Sequence, residues 1–162
     1  MSESNTIADM LNYARKFNLY YINKLDPERI HEPLVANGIS GNSAYWLIGH
    51  LIWAEADVLM SCLNENVLPL PWLSHFAIRQ DQQPQTELPD LKTLRHELEA
   101  THRIALEVIR KQTPEDLEKE AYVRPAKWHT TRKKGLFHCV RHESYHTGQF
   151  GLIAKVQGAD TP

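Results

Sequence analysis

His142 and His146 stand four positions apart in the segment Phe137–Gln149, which reads FHCVRHESYHTGQ. On a helix each residue advances about 100°, so the second imidazole lies about 40° round from the first and one turn along. Two imidazoles so placed can reach one metal ion. His138, Cys139, Tyr145, Gln149, Ile153 and Val156 fall within about 60° of His142, while Arg141, Ser144, Thr147, Gly148 and Lys155 fall round the back. The pair therefore shares the mostly apolar, inward side. Buried imidazoles need partners. A lone one is most simply a core histidine satisfied by backbone and hydroxyl groups; a pair at this spacing points to metal ligation.

His142-Glu143-Ser144-Tyr145-His146 also matches HExxH, in which two histidines hold zinc and the glutamate activates water for peptide hydrolysis. The partners of that chemistry are missing. The extended motif needs glycine at Gln149 and histidine at Leu152, and the 16 residues after His146 hold no glutamate and only Asp160 as an acid. No strand precedes the helix to take a peptide edge-on. The sequence thus disfavours a peptidase and leaves Glu143 turned toward helix 3 or solvent.

The helices that must position these groups follow from apolar period and end signals. Helix 1 is expected from Thr6 to Leu25 on Ile7, Met10, Leu11, Ala14, Phe17, Tyr21 and Leu25, with Asn18 on the side of Ala14 and Tyr21. Asp26-Pro27-Glu28 reads as a cap and a short turn to about His31. Helix 2 is expected from Asn42 or Ser43 to Asn64. Its His50 face carries Ser43, Trp46, Leu47, Trp53, Ala54, Asp57 and Ser61, so His50 points inward. Asp57 lies roughly 10 Å along the axis from His50, too far to share an ion but placed to orient a histidine of another helix. Glu55 lies about 140° away from His50.

Residues 65–88, with Pro69, Pro71 and Pro84, read as irregular. Leu68, Leu70, Trp72, Leu73 and Phe76 make the segment too apolar for a free linker, so it packs across the domain. Helix 3 is expected from Pro89 or Asp90 to Gln112 on Leu91, Leu94, Leu98, Thr101, Ala105 and Val108. Thr113-Pro114-Glu115-Asp116 then caps a short helix to about Glu120. Residues 121–134 carry Arg124, Lys127, Arg132, Lys133 and Lys134 among Tyr122, Trp128 and His129. They read as a solvated basic loop, or, more sharply, as an anion-recognising rim beside the metal. Helix 4 runs from about Gly135 to Gln157 and stops at Gly158. No run alternates as a strand should; Pro33 and Gly38-Ile39-Ser40-Gly41 mark a connection. The expected fold is all-α, one domain over residues 1–162: a four-helix bundle with a long crossover between helices 2 and 3. In such bundles, metal sites are built from inward side chains on facing helices, one histidine from helix 2 and two from helix 4.

Composition narrows the function. The chain has 162 residues, 42% hydrophobic and 23% charged, with a net charge of −2. That suits one globular domain and calls for no nucleic acid. The apolar runs are interrupted, so no membrane span is expected. The N-terminus lacks the basic and apolar parts of a signal peptide. Cys62 and Cys139 could pair, but a reducing cytoplasm predicts free thiols. Cytoplasmic localisation is therefore expected.

The residues Asn18, Gly49-His50-Leu51 with Glu55, the turn Thr113-Pro114-Glu115-Asp116-Leu117, and above all His142-xxx-His146-x-Gly148-Gln149 resemble the DinB/YfiT-like superfamily of four-helix candidate metalloenzymes. The resemblance covers most of the chain. It implies the crossover bundle and a divalent metal, commonly nickel or zinc, on His50, His142 and His146. Members of that superfamily include thiol-dependent transferases and isomerases that use a low-molecular-weight thiol, alongside many proteins of unknown activity, and homodimers are frequent among them. The resemblance thus implies a low-molecular-weight thiol as a candidate cofactor and a homodimer. Thr147 departs from the pattern, standing where an arginine is common before Gly-Gln.

Three neutral imidazoles leave a tetrahedral ion one open position, the catalytic arrangement. Such an ion activates water or a thiolate. His138, Tyr145, Gln149 and Asp57 are candidates to orient the ligands, and Trp46 and Trp53 to wall the pocket or fill the core. The expected function is a metal-dependent enzyme acting on a small molecule by hydrolysis or thiol transfer. The alternative is a non-catalytic helical binding module with a structural metal.

Overall fold

A computed structural model describes residues 2–78, 87–123 and 127–161. Helix α1 spans Glu3–Ile22 and starts where Ser2 Oγ accepts the Asn5 N–H at 3.2 Å. This cap sets the start earlier than the apolar pattern alone, because the first turn is polar. Asp26 caps the single turn Pro27–Arg29, as its Asp-Pro signal implies.

The chain then departs from the helical reading. Pro33–Ala36 (β1) and Ile39–Ser43 (β2) form an antiparallel hairpin. Asn37 at φ 51° and Gly38 at φ 75° turn it. Both take the left-handed region that a tight hairpin turn demands, which asparagine and glycine adopt most readily. The Asn-Gly pair was the available signal; the flanking strands are too short and too exposed to alternate visibly.

Ser43 ends β2 and caps helix α2 (Ala44–Trp53) through the Trp46 N–H. A π-helical segment, Ala54–Leu59, follows, then helix α3, Met60–Leu63, which Asn64 stops in the left-handed region at φ 60°. The expected ends of helix 2 hold, but its phase is reset midway. Ala44–Leu63 is long and apolar enough to cross a bilayer, yet 89% of its apolar window is buried inside the protein. Its apolar surface is covered by the other helices.

The segment after α3 packs inward, as its apolar content predicts: Trp72, Leu73 and Phe76 are buried around the single turn Leu73–Phe76. Pro84 lies outside the described residues. Helix α4 (Leu91–Arg110) is capped by Asp90, and the short α5 (Pro114–Glu118) by Thr113 and Asp116 in a reciprocal capping box. The stretch expected as a basic loop is a second hairpin, Glu120–Val123 (β3) against Trp128–Thr131 (β4). Ala121 and Val123 turn into the core while their neighbours stay out, an alternation of four residues, the shortest that reads as a strand. Arg124 lies outside the described residues. Lys133 pairs with Glu118 and Glu3, and Arg132 donates to Gln112, so these cations are spent on local partners.

Helix α6 spans Arg132–Val156, capped by Thr131. It packs along α1, while α4 packs against both α1 and α2. A Cβ at Gly135 would lie 2.2 Å from Cys62 Sγ, so glycine lets α3 approach α6. The fold is thus mostly helical. The inward stripes are narrower than periodicity suggests: Met10 and Phe17 on α1, and Tyr145 and Val156 on α6, are exposed. On α1 the inward places go instead to Arg15 and Asn18, both fully enclosed.

Candidate metal centre

The three histidines singled out from the sequence meet. His142 Nε2 lies 3.1 Å from His50 Nε2 and 3.1 Å from His146 Nε2. One ligating nitrogen from each falls within 4.8 Å of the others. α2 contributes His50, and one turn of α6 contributes the other two.

Each outer ring is fixed by its far nitrogen. His50 Nδ1 is 2.7 Å from the Phe76 carbonyl oxygen. A carbonyl only accepts, so Nδ1 carries the proton and the Nε2 lone pair faces the cluster. His146 Nδ1 donates likewise to Gln149 Oε1 at 2.5 Å. Such supports behind a ligand set its tautomer and direction. Gln149 was among the predicted supports; the Phe76 carbonyl was not, because a backbone oxygen leaves no mark in the sequence.

Gly49 makes that carbonyl contact possible. A Cβ there would fall 2.3 Å from the Phe76 ring. Glycine lets the ring lie against α2 and brings its carbonyl over the next residue, His50. Trp46 and Trp53 stack on the two sides of His50, at centroid distances of 4.5 and 5.1 Å and interplanar angles of 16° and 19°.

Burial keeps these imidazoles neutral. It pushes His50 down to about 4 and, together with its imidazole neighbours, His142 down to about 2. His146 is also lowered by burial. Neutral imidazole is the form that a metal ion takes up. Three convergent imidazole nitrogens, with the tautomers of His50 and His146 set from behind, fit a divalent metal ion.

Glu143 turns neither to solvent nor simply to helix 3. It is buried and faces α1. Arg15 Nε and a terminal guanidinium nitrogen reach its two carboxylate oxygens at 3.1 and 2.5 Å, and Asn18 Nδ2 donates to Oε2 at 2.5 Å. Thr147, in the place of the expected arginine, braces this arrangement: its Oγ1 is 2.8 Å from Asn18 Oδ1 and 3.1 Å from the Glu143 carbonyl. A carboxylate clamped in this way is not the free base of a peptidase.

The same guanidinium lies 3.1 Å from Glu55 Oε2, and His102 Nδ1 lies 2.7 Å from Glu55 Oε1. Uniform helical phase put Glu55 away from the His50 face and gave Asp57 a supporting role. Glu55, at the start of the π segment, faces α1 and α4 rather than His50. Glu55 is a buried partner of Arg15, and Asp57 lines a depression with Val67, Pro69 and Pro71 that shares Trp53 and Ile78 with the cavity beside His142. Tyr145 touches His146 edge-on, with centroids 5.2 Å apart, but stays largely exposed.

A cavity of about 340 Å³ opens beside His142. Trp53, Val58, Ile78, Val123 and Trp128 make it apolar, and His138, Cys139, Glu55 and Glu143 add polar groups. Both cysteines are free thiols. Burial raises Cys62 to about 11 and Cys139 well above its ordinary value, so neither is a thiolate near neutrality.

No curated protein matches the chain. A solved structure of a conserved protein from Enterococcus faecalis is similar in fold, with a TM-score of 0.68 at 18% identity over 96% of this chain and 97% of the other. The DinB superfamily profile matches residues 10–150. Coverage of that extent, together with three converging histidines, settles the family: the chain belongs to the DinB superfamily.

Proposed function

We propose that the protein is a metal-dependent enzyme that acts on a small molecule, by hydrolysis or by transfer of a low-molecular-weight thiol. His50, His142 and His146 hold the ion, zinc or nickel. The observation that carries this reading is the convergence of three neutral Nε2 atoms beside an apolar cavity. When bound, such an ion supplies Lewis acidity to water or a thiol. The chain's own groups do the rest. Phe76 and Gln149 hold two of the ligating rings, and Trp53 and Trp128 give the cavity an apolar lining.

The architecture we infer is a four-helix bundle of α1, the α2–α3 rod, α4 and α6, with a long crossover between the second and third. The reducing cytoplasm suits the two free thiols. Exposed Met10, Tyr13 and Phe17 on α1 border a groove completed by Val140 of α6, which supports a homodimer through that face.

The test is metal analysis of untagged protein after incubation with zinc or nickel and desalting. One ion per chain is expected, with none retained by His142→Ala. A wild-type chain that stays metal-free would overturn the reading. Loaded protein is then assayed on simple esters and on thiol adducts.

A further inference from the structure

His138 lies one turn before His142 and lines the same cavity. Its ring does not support a metal ligand from behind. It lies beside His142, with centroids 6.0 Å apart and an interplanar angle of 28°, and meets Trp128 edge-on at 5.5 Å. Arg141 contacts its Nδ1 at 3.0 Å. A guanidinium only donates, so Nδ1 is the acceptor and the ring's proton sits on Nε2. No hydrogen bond among the described residues engages that Nε2–H. Among the described residues, a half-buried donor of set tautomer is thus without a hydrogen-bond partner on a side chain that lines the cavity.

The rest of the lining restricts what the donor can meet. Glu55 and Glu143 are both part of it, and the described lining residues include no lysine or arginine. An anion would face two carboxylates, whose cation, Arg15, lies behind them. Trp53, Trp128, Val58 and Ile78 offer an apolar body a surface on several sides. Cavities of about 150 Å³ hold benzene, so about 340 Å³ has room for a substituted ring.

We propose that His138 determines specificity by donating its Nε2–H to an uncharged oxygen acceptor, of carbonyl or ether type, on an apolar small molecule in this cavity. Arg141 is a positioning residue that acts through the His138 tautomer. The proposal rests on the enzyme reading for its meaning as a substrate site, but its test does not depend on metal.

Acetophenone, ethylbenzene and benzoate share a ring and differ in the group offered to His138. Their binding to the metal-free full chain is followed by NMR titration. A net hydrogen bond corresponds to a preference of about two- to tenfold. Acetophenone should bind more tightly than ethylbenzene by about that factor, and benzoate more weakly than acetophenone. His138→Phe should bring the ketone and the hydrocarbon to equal affinity. Long-range proton–nitrogen spectra of the wild type should show the Nε2–H tautomer of His138, a shift of that proton with acetophenone and none with ethylbenzene, and a mixed tautomer in Arg141→Met. Equal affinities in the wild type, a preference that survives His138→Phe, or no binding of the ketone at millimolar concentration would each overturn the proposal. Loss of zinc uptake with the ketone preference intact would sink the metal reading and leave this one standing.

Discussion

The guanidinium of Arg15 grips the carboxylate of Glu143 at both oxygens, across 128 positions of sequence and inside the protein. The pair joins α1 to the turn of α6 that carries His142 and His146. Burial by itself would depress the Arg15 cation; Glu143 and then Glu55 more than offset it and raise its pKa. Removing one member of a buried pair leaves the other uncompensated, at a cost of about 3–5 kcal/mol. Arg15→Met should therefore lower stability in urea by about that amount. Glu143→Gln keeps the shape and should cost less. It should still take up one metal ion per chain, as a positioning residue would and a ligand would not.

Acid should weaken the fold through Glu55. Burial favours its neutral form, but Arg15 on α1 and His102 on α4 outweigh burial and hold the carboxyl below its ordinary value of 4.5. Cys139 and Glu143 on α6 are the other titratable groups nearby. The unfolded chain then binds more protons than the folded one below the ordinary value. The contribution of Glu55 is complete above that value and is lost as the pH falls through the lower folded one. Urea midpoints of metal-free protein should drop from pH 5 toward pH 3, and Glu55→Gln should flatten the slope. An unchanged slope in that variant would rule out Glu55 as the source.

Gly49→Ala should damage the metal site without touching a ligand. The added carbon would fall 2.3 Å from the Phe76 ring, so the ring and its carbonyl must move off His50. Overpacking of this kind costs about 1–3 kcal/mol. Zinc affinity measured by chelator competition should fall along with the melting temperature.

Gln149→Leu removes the acceptor behind His146. Losing such a support weakens metal affinity by about 10–100-fold. Because Gln149 is only half-buried, the stability of the metal-free chain should change little, so affinity and stability part company in this variant.

Much of the site was legible because its information is carried by side chains at helical spacing. His142 and His146 fix each other's face, and the bulky stripe around His50 turns it inward. Ser43, Asp90 and Thr113 marked their helix starts by the chemistry of capping. What escaped is carried by backbone. The Phe76 carbonyl has no residue type, and the π segment Ala54–Leu59 changes helical phase without a sequence signature. Arg15 escaped for another reason: a cation on an inward stripe reads as an interruption until its two carboxylates, on other helices, are in view. The two hairpins pair only four or five residues per strand, at the lower limit of the length at which alternation can be recognised.

Two of the chain's four tryptophans enclose His50 face to face. Indoles emit light, and their emission responds to an imidazole in ring contact and is quenched by an open-shell cation a few ångströms away. The centre thus carries its own optical reporter. Nickel entering should darken the emission of Trp46 and Trp53, whereas zinc, with its filled shell, should only shift it, so one cuvette distinguishes the two ions without a label.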